Sequence, residues 1–265
     1  MAELRERWMR ICQARGCEAS ALKAAVVAAM RAARVVRVTG ASPAGDPRVW
    51  WREIGEALGR NADLIEDSVT GELTATDGAW MDVRFEPDRG DSFRHHNVGQ
   101  PLHTDGAYVA DTEAREITLF YLERQAEQGG ESLFVDAETI AACARLRQPA
   151  LYAKLTSLPV RFGKAGGPSR ITTILRQEDG RTKVNWNYYR VLEGQGEVIA
   201  TLREDFRAFL EDMIERGEVE SFRLEPGDAV FFLDDEVLHG RRGFAAAQSG
   251  DRLLWKTYFT REAVA

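Results

Sequence analysis

The chain has 265 residues, of which 44% are hydrophobic and 29% are charged, and this composition excludes disordered, collagen-like and coiled-coil proteins. Its 35 Lys and Arg residues stand against 42 Asp and Glu residues, and the formal net charge of -7 disfavours a nucleic-acid partner bound through phosphate contacts. We therefore expect a small-molecule partner. Because only 4 His and 3 Cys are present, a site built from these residue types draws on very few of them.

The cysteines and the N-terminus bear on the cellular compartment. Cys12, Cys17 and Cys143 form no pair with zinc-site spacing, and an odd number of cysteines without a secretory signal favours a reducing compartment. The apolar stretch 24–30 is far shorter than the roughly 20 residues that span a bilayer. We expect a soluble, cytoplasmic protein without a membrane partner.

The first part of the chain has a mainly helical pattern. Residues 21–33 and 48–58 are predicted to form helices, with a strand at 35–38 between them, and Cys12 and Cys17 are predicted to lie on an earlier helix. We assign residues 1–79 to an N-terminal helical part.

From about residue 80 the pattern changes to short strands separated by Gly, Pro and Asp. Helices are predicted at 137–146 and 202–216, and strands at 81–85, 117–123, 132–135, 158–161, 171–176, 184–192, 229–233 and 253–259. Such short, regularly spaced strands predict a mainly β fold, a sandwich or barrel with flanking helices. Because no linker or repeat marks a boundary, we expect a single domain over 1–265, with the helical part packed on a core at about 80–260.

Two segments place His near a carboxylate. His103 and Asp105 project to the same face of an extended chain, where they could bind one metal ion, although this pair alone is a weak signal. His239 follows an apolar strand and an acidic turn, and it could equally be a buried core residue. Two His and one carboxylate would leave three adjacent metal positions open, as in non-haem Fe(II) oxygenases, whereas a structural zinc site needs a fourth ligand.

The last predicted strand contributes a positive charge to the same region. Alternation places Arg252, Leu254, Lys256 and Tyr258 on one face. A buried Arg is costly unless it meets an anion, and a carboxylate that accepts two hydrogen bonds is the natural partner.

These residues resemble, in order and spacing, the Fe(II)/2-oxoglutarate-dependent dioxygenases, in particular the taurine dioxygenase/TfdA and clavaminate synthase-like branch. The matching motifs are His103-Thr-Asp105, Gly129-Gly-Glu-Ser132, His239-Gly-Arg241 and Gly250-Asp-Arg252. They cover about residues 101–259, and the N-terminal hundred residues fit only in texture. The chain departs from the branch at 233–236, where Leu-Asp-Asp-Glu replaces the frequent Asp-Asn-Arg, and at Lys256, where many relatives carry a second Arg.

The resemblance implies a double-stranded β-helix (jelly-roll) core, Fe(II) held by His103, Asp105 and His239, and 2-oxoglutarate held by Arg252 and Ser132. With O2, these cofactors imply release of succinate and CO2 and hydroxylation of an unactivated C–H bond. The retained Asp105 argues against the halogenating relatives. Three alternatives stay open: desaturation or ring closure with the same cofactors, a non-catalytic metal-binding cupin-like domain, and a zinc-dependent hydrolase or isomerase.

The substrate is predicted from polar side chains near the barrel mouth. Asn185 and Asn187 share a face of the strand predicted at 184–192, which either lines the site or is an ordinary sheet strand. Lys256 either binds a substrate anion or extends to solvent. A loop position in solvent is favoured for His95 and His96. The substrate-binding candidates are Arg84, His95, Asn185, Asn187 and Lys256, with Arg94, Arg170 and Arg190 considered beside them. Their charge suits a small carboxylate-bearing metabolite such as a free amino acid.

Overall fold

The fold is mostly β-sheet with five helices in the part of the chain that the structure describes. The structure, a computed structural model, describes residues 8–62, 64–66, 73–75, 80–89, 93–109, 116–164 and 167–261. The helices are α1 (Ala19–Ala32), α2 (Pro47–Gly55), α3 (Ala137–Arg147), α4 (Pro149–Ser157) and α5 (Glu197–Glu215), with a 3-10 turn at Tyr188–Arg190.

The strands form two larger sheets and three hairpins. They are β1 (Met9–Gln13), β2 (Val35–Thr39), β3 (Arg60–Asn61), β4 (Leu64–Glu66), β5 (Leu73–Ala75), β6 (Met81–Arg84), β7 (Gln100–His103), β8 (Ile117–Arg124), β9 (Ser132–Asp136), β10 (Val160–Gly163), β11 (Ser169–Thr172), β12 (Leu175–Glu178), β13 (Arg181–Val184), β14 (Glu220–Phe222), β15 (Ala229–Leu233), β16 (Val237–Arg241) and β17 (Leu253–Thr260). The first sheet has the order β1-β2-β15-β8-β17, with β3 and β6 both paired to β17, and the second has the order β14-β9-β16-β7. Strands β10 and β11, β12 and β13, and β4 and β5 form the hairpins.

The two larger sheets share one apolar core. Leu122 and Phe232 of the first sheet pack in the same buried cluster as Phe134 and Val237 of the second. Because alternate side chains of a strand face opposite sides, each sheet keeps a second face, and helices cover it. This is the sandwich arrangement predicted from the spacing of the strands, and it sets β7, β16 and β17 around a common interior.

Helices α1 and α2 cover the outer face of the first sheet. Helix α1 buries Leu22, Val26 and Met30, which lie on one stripe at four-residue spacing. Helix α2 starts at Pro47, and the Asp46 carboxylate caps it by accepting a hydrogen bond from the Arg48 N–H at 2.9 Å.

The close contact between α2 and β17 requires a glycine. A Cβ atom on Gly55 would lie 2.1 Å from the ring of Phe259, so only a residue without a side chain fits. Helices α3, α4 and α5 cover the second sheet through a separate apolar cluster that includes Val135, Leu155 and Phe206.

Several predicted elements are present with nearly the predicted bounds. Five strands start at the predicted residue, namely those beginning at 81, 117, 132, 229 and 253. The strand predicted at 158–161 lies instead at Val160–Gly163, and the one at 171–176 is divided between β11 and β12. Helix α4 and several strands, among them β7, β14 and β16 of the second sheet, were not predicted.

The prediction that Cys12 and Cys17 lie on a helix is wrong. Cys12 belongs to β1, which pairs in parallel with β2, and Cys17 lies beyond that strand. Hydrogen bonding along the edge of β2 decides the conformation here, and the local composition does not reveal that edge. The N-terminal part therefore adds three strands, β1, β2 and β3, to the first sheet. Residues 1–7, 63, 67–72 and 76–79 of the predicted N-terminal part lie outside the described residues, and the predicted domain division stays a prediction.

The prediction of a strand at 184–192 is also wrong, because the strand in this region, β13, ends at Val184. The N–H groups that follow bond to separate partners: Asn185 N–H to Ile174 O at 2.9 Å, and Trp186 N–H to the Thr104 hydroxyl at 3.2 Å. The alternation of faces predicted for Asn185 and Asn187 therefore does not apply. None of the helices in the described residues is long and apolar enough to cross a membrane.

Candidate active site

His103 and His239 are neighbours across two paired strands. His103 ends β7 and His239 lies at the centre of β16, and the antiparallel register places the two residues opposite each other. Their ring centroids are 4.2 Å apart and both side chains are buried. Directly paired residues of an antiparallel ladder point to the same face, so the sheet itself brings the two imidazoles together.

Asp105 joins them from the turn that follows β7. Its Oδ1 lies 3.5 Å from His103 Nε2, and its Oδ2 lies 3.8 Å from His239 Nε2. One candidate ligand atom from each of the three residues lies within 4.8 Å of the others. The structure thus places the three predicted metal ligands at one point.

The hydrogen bonds of His103 place the lone pair on its metal-facing nitrogen. Its Nδ1 lies 3.0 Å from the carbonyl oxygen of Pro101, which can only accept, so Nδ1 carries the proton and Nε2 the lone pair. The Gln100 side-chain amide nitrogen lies 3.1 Å from that Nε2. Burial and the adjacent His103 hold the pKa of His239 well below its usual value, so this imidazole is neutral as metal binding requires.

The donor set fits Fe(II). Two imidazoles and one carboxylate on one side of a metal form the facial triad of non-haem Fe(II) oxygenases and leave the other positions open. Ligands about 2.1 Å from a metal on adjacent octahedral positions lie about 3 Å apart. The separations of 3.5 and 3.8 Å between Asp105 and the two imidazoles are close to that value.

Strand β17 holds Asp105 from the other side. Lys256 Nζ donates to both carboxylate oxygens of Asp105 at 3.0 Å, and the Tyr258 hydroxyl donates to Oδ2 at 3.3 Å. Burial alone would raise the pKa of Asp105, but the Lys256 ammonium outweighs it and keeps that pKa well below its usual range. The Lys256 side chain is only 13% exposed and is bound to Asp105, so the alternative that it extends to solvent is wrong.

One cavity contains the triad and the predicted 2-oxoglutarate residues. Its empty volume is about 540 Å³, and Arg252, Leu254 and Lys256 line it together, as the alternation on β17 predicts. The other lining residues are Met81, Val83, Arg94, Gln100, His103, Asp105, Phe120, Ser132, His239, Gly240 and Arg241. Ser132 enters from β9, where it lies opposite Arg241 of β16.

Arg252 is a buried cation suited to an anionic ligand. It is 2% exposed, and its Nε has no hydrogen-bond partner among the described residues. Burial, and then the neighbouring Arg241 and Arg223, lower the pKa of Arg252 to about 9. A desolvated guanidinium is stabilised by a carboxylate that accepts two of its N–H groups, so the arrangement fits the distal carboxylate of 2-oxoglutarate.

The other predicted substrate residues lie outside this cavity. Arg84 pairs with Asp82 at 2.9 Å and Glu86 at 2.7 Å on a half-exposed surface. His95 is buried, contrary to the favoured solvent position, with Nδ1 3.3 Å from the Arg84 carbonyl oxygen. Asn187 accepts from the Tyr189 N–H at 3.2 Å and starts the 3-10 turn.

Asn185 and Asp234 lie behind the Asp105 turn. Asn185 donates to Ala107 O at 3.0 Å and lines a second cavity together with Asp234. The Asp234 carboxylate accepts from the N–H groups of Asp105 at 2.9 Å and Gly106 at 2.7 Å. Burial and the Asp105 carboxylate raise the pKa of Asp234 to about 7.

Gln100 and Asp234 also lie at the site, although no sequence motif marks them as site residues. Gln100 could have been found from its place at the start of the short extended segment that carries His103. Asp234 stands where the chain departs from the frequent Asp-Asn-Arg pattern, and that departure was the available signal.

Comparison with known families agrees with this geometry. Residues 18–258 match the family described as taurine catabolism dioxygenase TauD, TfdA family. The chain belongs to this family. The TauD/TfdA assignment confirms the resemblance drawn from the motifs, and with it the jelly-roll class and the enzyme class of Fe(II)- and 2-oxoglutarate-dependent oxygenases.

Individual relatives of this TauD/TfdA chain are distant. It is 30% identical over 194 residues to gamma-butyrobetaine dioxygenase of Pseudomonas sp. (strain AK-1), a match that covers 70% of this chain and 49% of that protein. It is 26% identical over 206 residues to uridine-5'-phosphate dioxygenase of Amycolatopsis sp, with 71% of each chain covered. The fold is similar to that of asparagine oxygenase in complex with Fe(II), 2S,3S-3-hydroxyasparagine and succinate. The TM-score is 0.71 at 12% identity, with 91% of this chain and 79% of that chain covered.

Proposed function

We propose that the protein is an Fe(II)- and 2-oxoglutarate-dependent dioxygenase that hydroxylates an unactivated C–H bond of a small polar metabolite bearing a carboxylate. Succinate and CO2 are the coproducts. The observation that carries this proposal is one cavity in which His103, Asp105 and His239 converge beside the buried Arg252, whose Nε has no hydrogen-bond partner among the described residues.

In this proposal the triad holds Fe(II), and Arg252 with Ser132 holds the distal carboxylate of 2-oxoglutarate. When bound, the metal and 2-oxoglutarate supply the oxidising chemistry. The chain supplies position and keeps water out. Met81, Val83, Phe120 and Leu254 form apolar walls beside the triad, and the ring of Phe120 lies 5.4 Å from that of His239.

The cations that line the cavity differ in their hydrogen-bond partners. Lys256 is bound to Asp105, and Arg241 Nη2 donates to the carbonyl oxygens of Phe93, His96 and Val98 at 3.3, 2.8 and 2.9 Å. These contacts make Lys256 a partner of the metal ligand instead of the substrate group expected from the sequence.

Arg94 is the remaining cation that lines the cavity and lies outside the cofactor assignments. The carboxylate and the carbonyl oxygen of Asp82 accept hydrogen bonds from its guanidinium and orient it. We infer that Arg94 faces the substrate carboxylate and that Gln100 contacts the substrate near the metal. An amino acid is a suitable class, and asparagine oxygenase, with its bound hydroxyasparagine, has a similar fold.

A screen for substrate-dependent turnover tests this function. The protein with Fe(II), O2 and 2-oxoglutarate is presented with a panel of amino acids and other small acids, and succinate and product masses are measured. Hydroxylation adds one oxygen to the product, whereas desaturation or ring closure removes two hydrogens. Absence of Fe(II)-dependent succinate with every compound, and also without substrate, would contradict the proposal.

A further inference from the structure

The carboxylate of Asp234 lies between the two segments that carry the triad. Asp234 is buried in the turn that joins β15 to β16, five residues before His239. It accepts hydrogen bonds from the N–H groups of Asp105 and Gly106 at 2.9 and 2.7 Å. Its Oδ1 also lies 3.8 Å from His239 Nδ1. One carboxylate thus contacts the backbone of one candidate ligand and faces the side chain of another.

The far side of His239 lacks the partner that His103 has. His103 Nδ1 donates to Pro101 O, but His239 Nδ1 is buried and has no hydrogen-bond partner among the described residues. The rings of Phe120, Phe134 and Phe232 surround the His239 imidazole and offer no carboxylate or carbonyl acceptor. A metal-bound His almost always donates its second N–H to a carboxylate, a carbonyl or water. The carboxyl oxygen of Asp234, 3.8 Å away, is the acceptor that faces this nitrogen.

The residues after Asp234 anchor the turn on its other side. Lys183 Nζ lies 2.6 Å from Asp235 and 3.0 Å from Glu236, which is fully buried. Arg181 and Arg34 also pair with Glu236, at 3.1 and 3.3 Å. These ion pairs hold the backbone of the turn while Asp234 points toward the Asp105 segment.

We propose that Asp234 is a positioning residue for the metal site, a role that rests on the proposed function. It fixes the backbone of the Asp105 turn and accepts a hydrogen bond from His239 Nδ1–H, so the lone pair of His239 stays on Nε2, toward Asp105. Asp234 lines the second cavity behind the turn and does not line the cavity that contains Arg252, so it acts through the two ligands.

Substitutions at Asp234 separate this role from general stabilisation of the turn. Asp234→Ala removes all three acceptor functions. Asp234→Asn keeps one amide oxygen for a backbone N–H but turns an NH2 group toward a second donor. Asp235→Asn is the matched control. Asp235 lies in the same turn as Asp234, but its carboxylate pairs with Lys183 of β13 and does not contact a candidate ligand.

The experiment measures Co(II) binding by its visible ligand-field spectrum, together with the thermal unfolding of each metal-free variant. We expect Asp234→Ala to weaken Co(II) affinity by about 10- to 100-fold and to change the band pattern. We expect Asp234→Asn to lie between Asp234→Ala and wild type, and Asp235→Asn to bind like wild type. With Zn(II) bound, 15N NMR of the wild type is expected to show the proton of His239 on Nδ1.

Two results would overturn the positioning role. One is wild-type Co(II) affinity and spectrum in Asp234→Ala; the other is an equal loss of affinity in Asp235→Asn. If Asp234→Ala fails to fold, the comparison of Asp234→Asn with Asp235→Asn decides in the same way. Failure of the wild type to bind Co(II) would instead count against the proposed function, so the two failures are distinguishable.

Discussion

Asp105 is the residue on which the charges of the site converge. It faces two imidazoles on one side and the Lys256 ammonium on the other. Because its pKa is depressed in the folded state, Asp105 contributes stability above the unfolded value of about 3.9, and that contribution is lost only as the pH falls through the lower folded pKa. The carboxylate is therefore ionised, and able to bind a metal, throughout the neutral range.

Removal of the Asp105 carboxylate is expected to affect catalysis and stability separately. Asp105→Ala should abolish Fe(II)-dependent succinate formation, and it should destabilise the fold by about 3 to 5 kcal/mol because the Lys256 ammonium, in a largely enclosed position, loses its carboxylate partner. The double variant Asp105→Ala/Lys256→Met should recover most of that stability and none of the activity. Succinate assays and urea denaturation of both variants provide the measurement. Wild-type turnover in Asp105→Ala would show that the triad is wrongly assigned.

Two neighbouring arginines test the substrate contact. Arg94 and Arg84 both bond to Asp82, but Arg94 lines the cavity and Arg84 does not. Arg94→Ala should raise the KM for a carboxylate-bearing substrate by about 10- to 100-fold, which corresponds to the free energy of one hydrogen bond to a charged group. The KM for 2-oxoglutarate should stay nearly unchanged. Arg84→Ala should leave both constants near wild type. Equal effects of the two substitutions on substrate KM would contradict the assignment of Arg94.

The sequence best predicts which side chains lie together where the residues are on or directly beside regular strands. His103, His239, Arg252 and Lys256 lie on or next to paired strands, where alternation decides which side chains share a face. Asn185 follows the end of a strand and lies in an irregular segment whose backbone N–H groups bond to several different parts of the chain. Alternation therefore predicts the wrong neighbours for its side chain. Lys256 faces the site as predicted, but its pairing with Asp105 depends on a contact between strands that local sequence does not contain.

At the scale of elements, the turn between β15 and β16 concentrates buried charge. Glu236 is fully buried and is surrounded by cations from β13 and from the residue that precedes β2. Burial alone would raise its pKa, but Lys183 and then Arg181 outweigh it and lower the pKa of Glu236. This network lets an acidic turn occupy a place where the family often carries Asp-Asn-Arg.

The depressed pKa of Glu236 gives a pH-dependent prediction. Its contribution to stability is present above the unfolded value of about 4.3 and is lost as the pH falls through the lower folded pKa. Glu236→Gln should therefore lower the free energy of unfolding by about 3 kcal/mol at pH 7, and its difference from wild type should shrink below about pH 4. Denaturant unfolding across this pH range provides the measurement.

Glu138→Gln is the control for that experiment, because Glu138 pairs with the same Arg34 at 3.0 Å but its side chain is 52% exposed. A surface pair of this kind contributes about 0.2 to 1 kcal/mol, so the substitution should have little effect. A loss in Glu236→Gln that is no larger than in Glu138→Gln, or that does not change with pH, would contradict the importance of the buried network.

At the scale of the molecule, the N-terminal part is continuous with the sheet that carries Lys256. Strand β2 pairs with β15, and Trp51 of α2 packs fully buried against Tyr121 and Phe231, with ring centroids 6.4 and 6.1 Å away. The mainly β architecture and its helical cover could be predicted from strand spacing. The contribution of β1 and β2 to the central sheet depends on pairing between distant segments, and only part of it could be predicted.

The single domain stays a prediction, and this continuity suggests how to test it. Trp51→Ala should lower the free energy of unfolding by about 3 to 5 kcal/mol and shift the whole transition, as large core truncations do. The half-buried Trp50 is the control, and Trp50→Ala should cost much less. Circular dichroism and tryptophan fluorescence should give coincident transitions. Two separated transitions, of which only one responds to Trp51→Ala, would contradict a single domain.

The central claim is that His103, Asp105 and His239 hold Fe(II) in a cavity where Arg252 holds 2-oxoglutarate, and visible absorption under anaerobic conditions tests it most directly. We predict a charge-transfer band that requires both Fe(II) and 2-oxoglutarate, is absent in Asp105→Ala, and needs a higher 2-oxoglutarate concentration in Arg252→Ala. Absence of the band in the wild-type protein with both components present would contradict the claim.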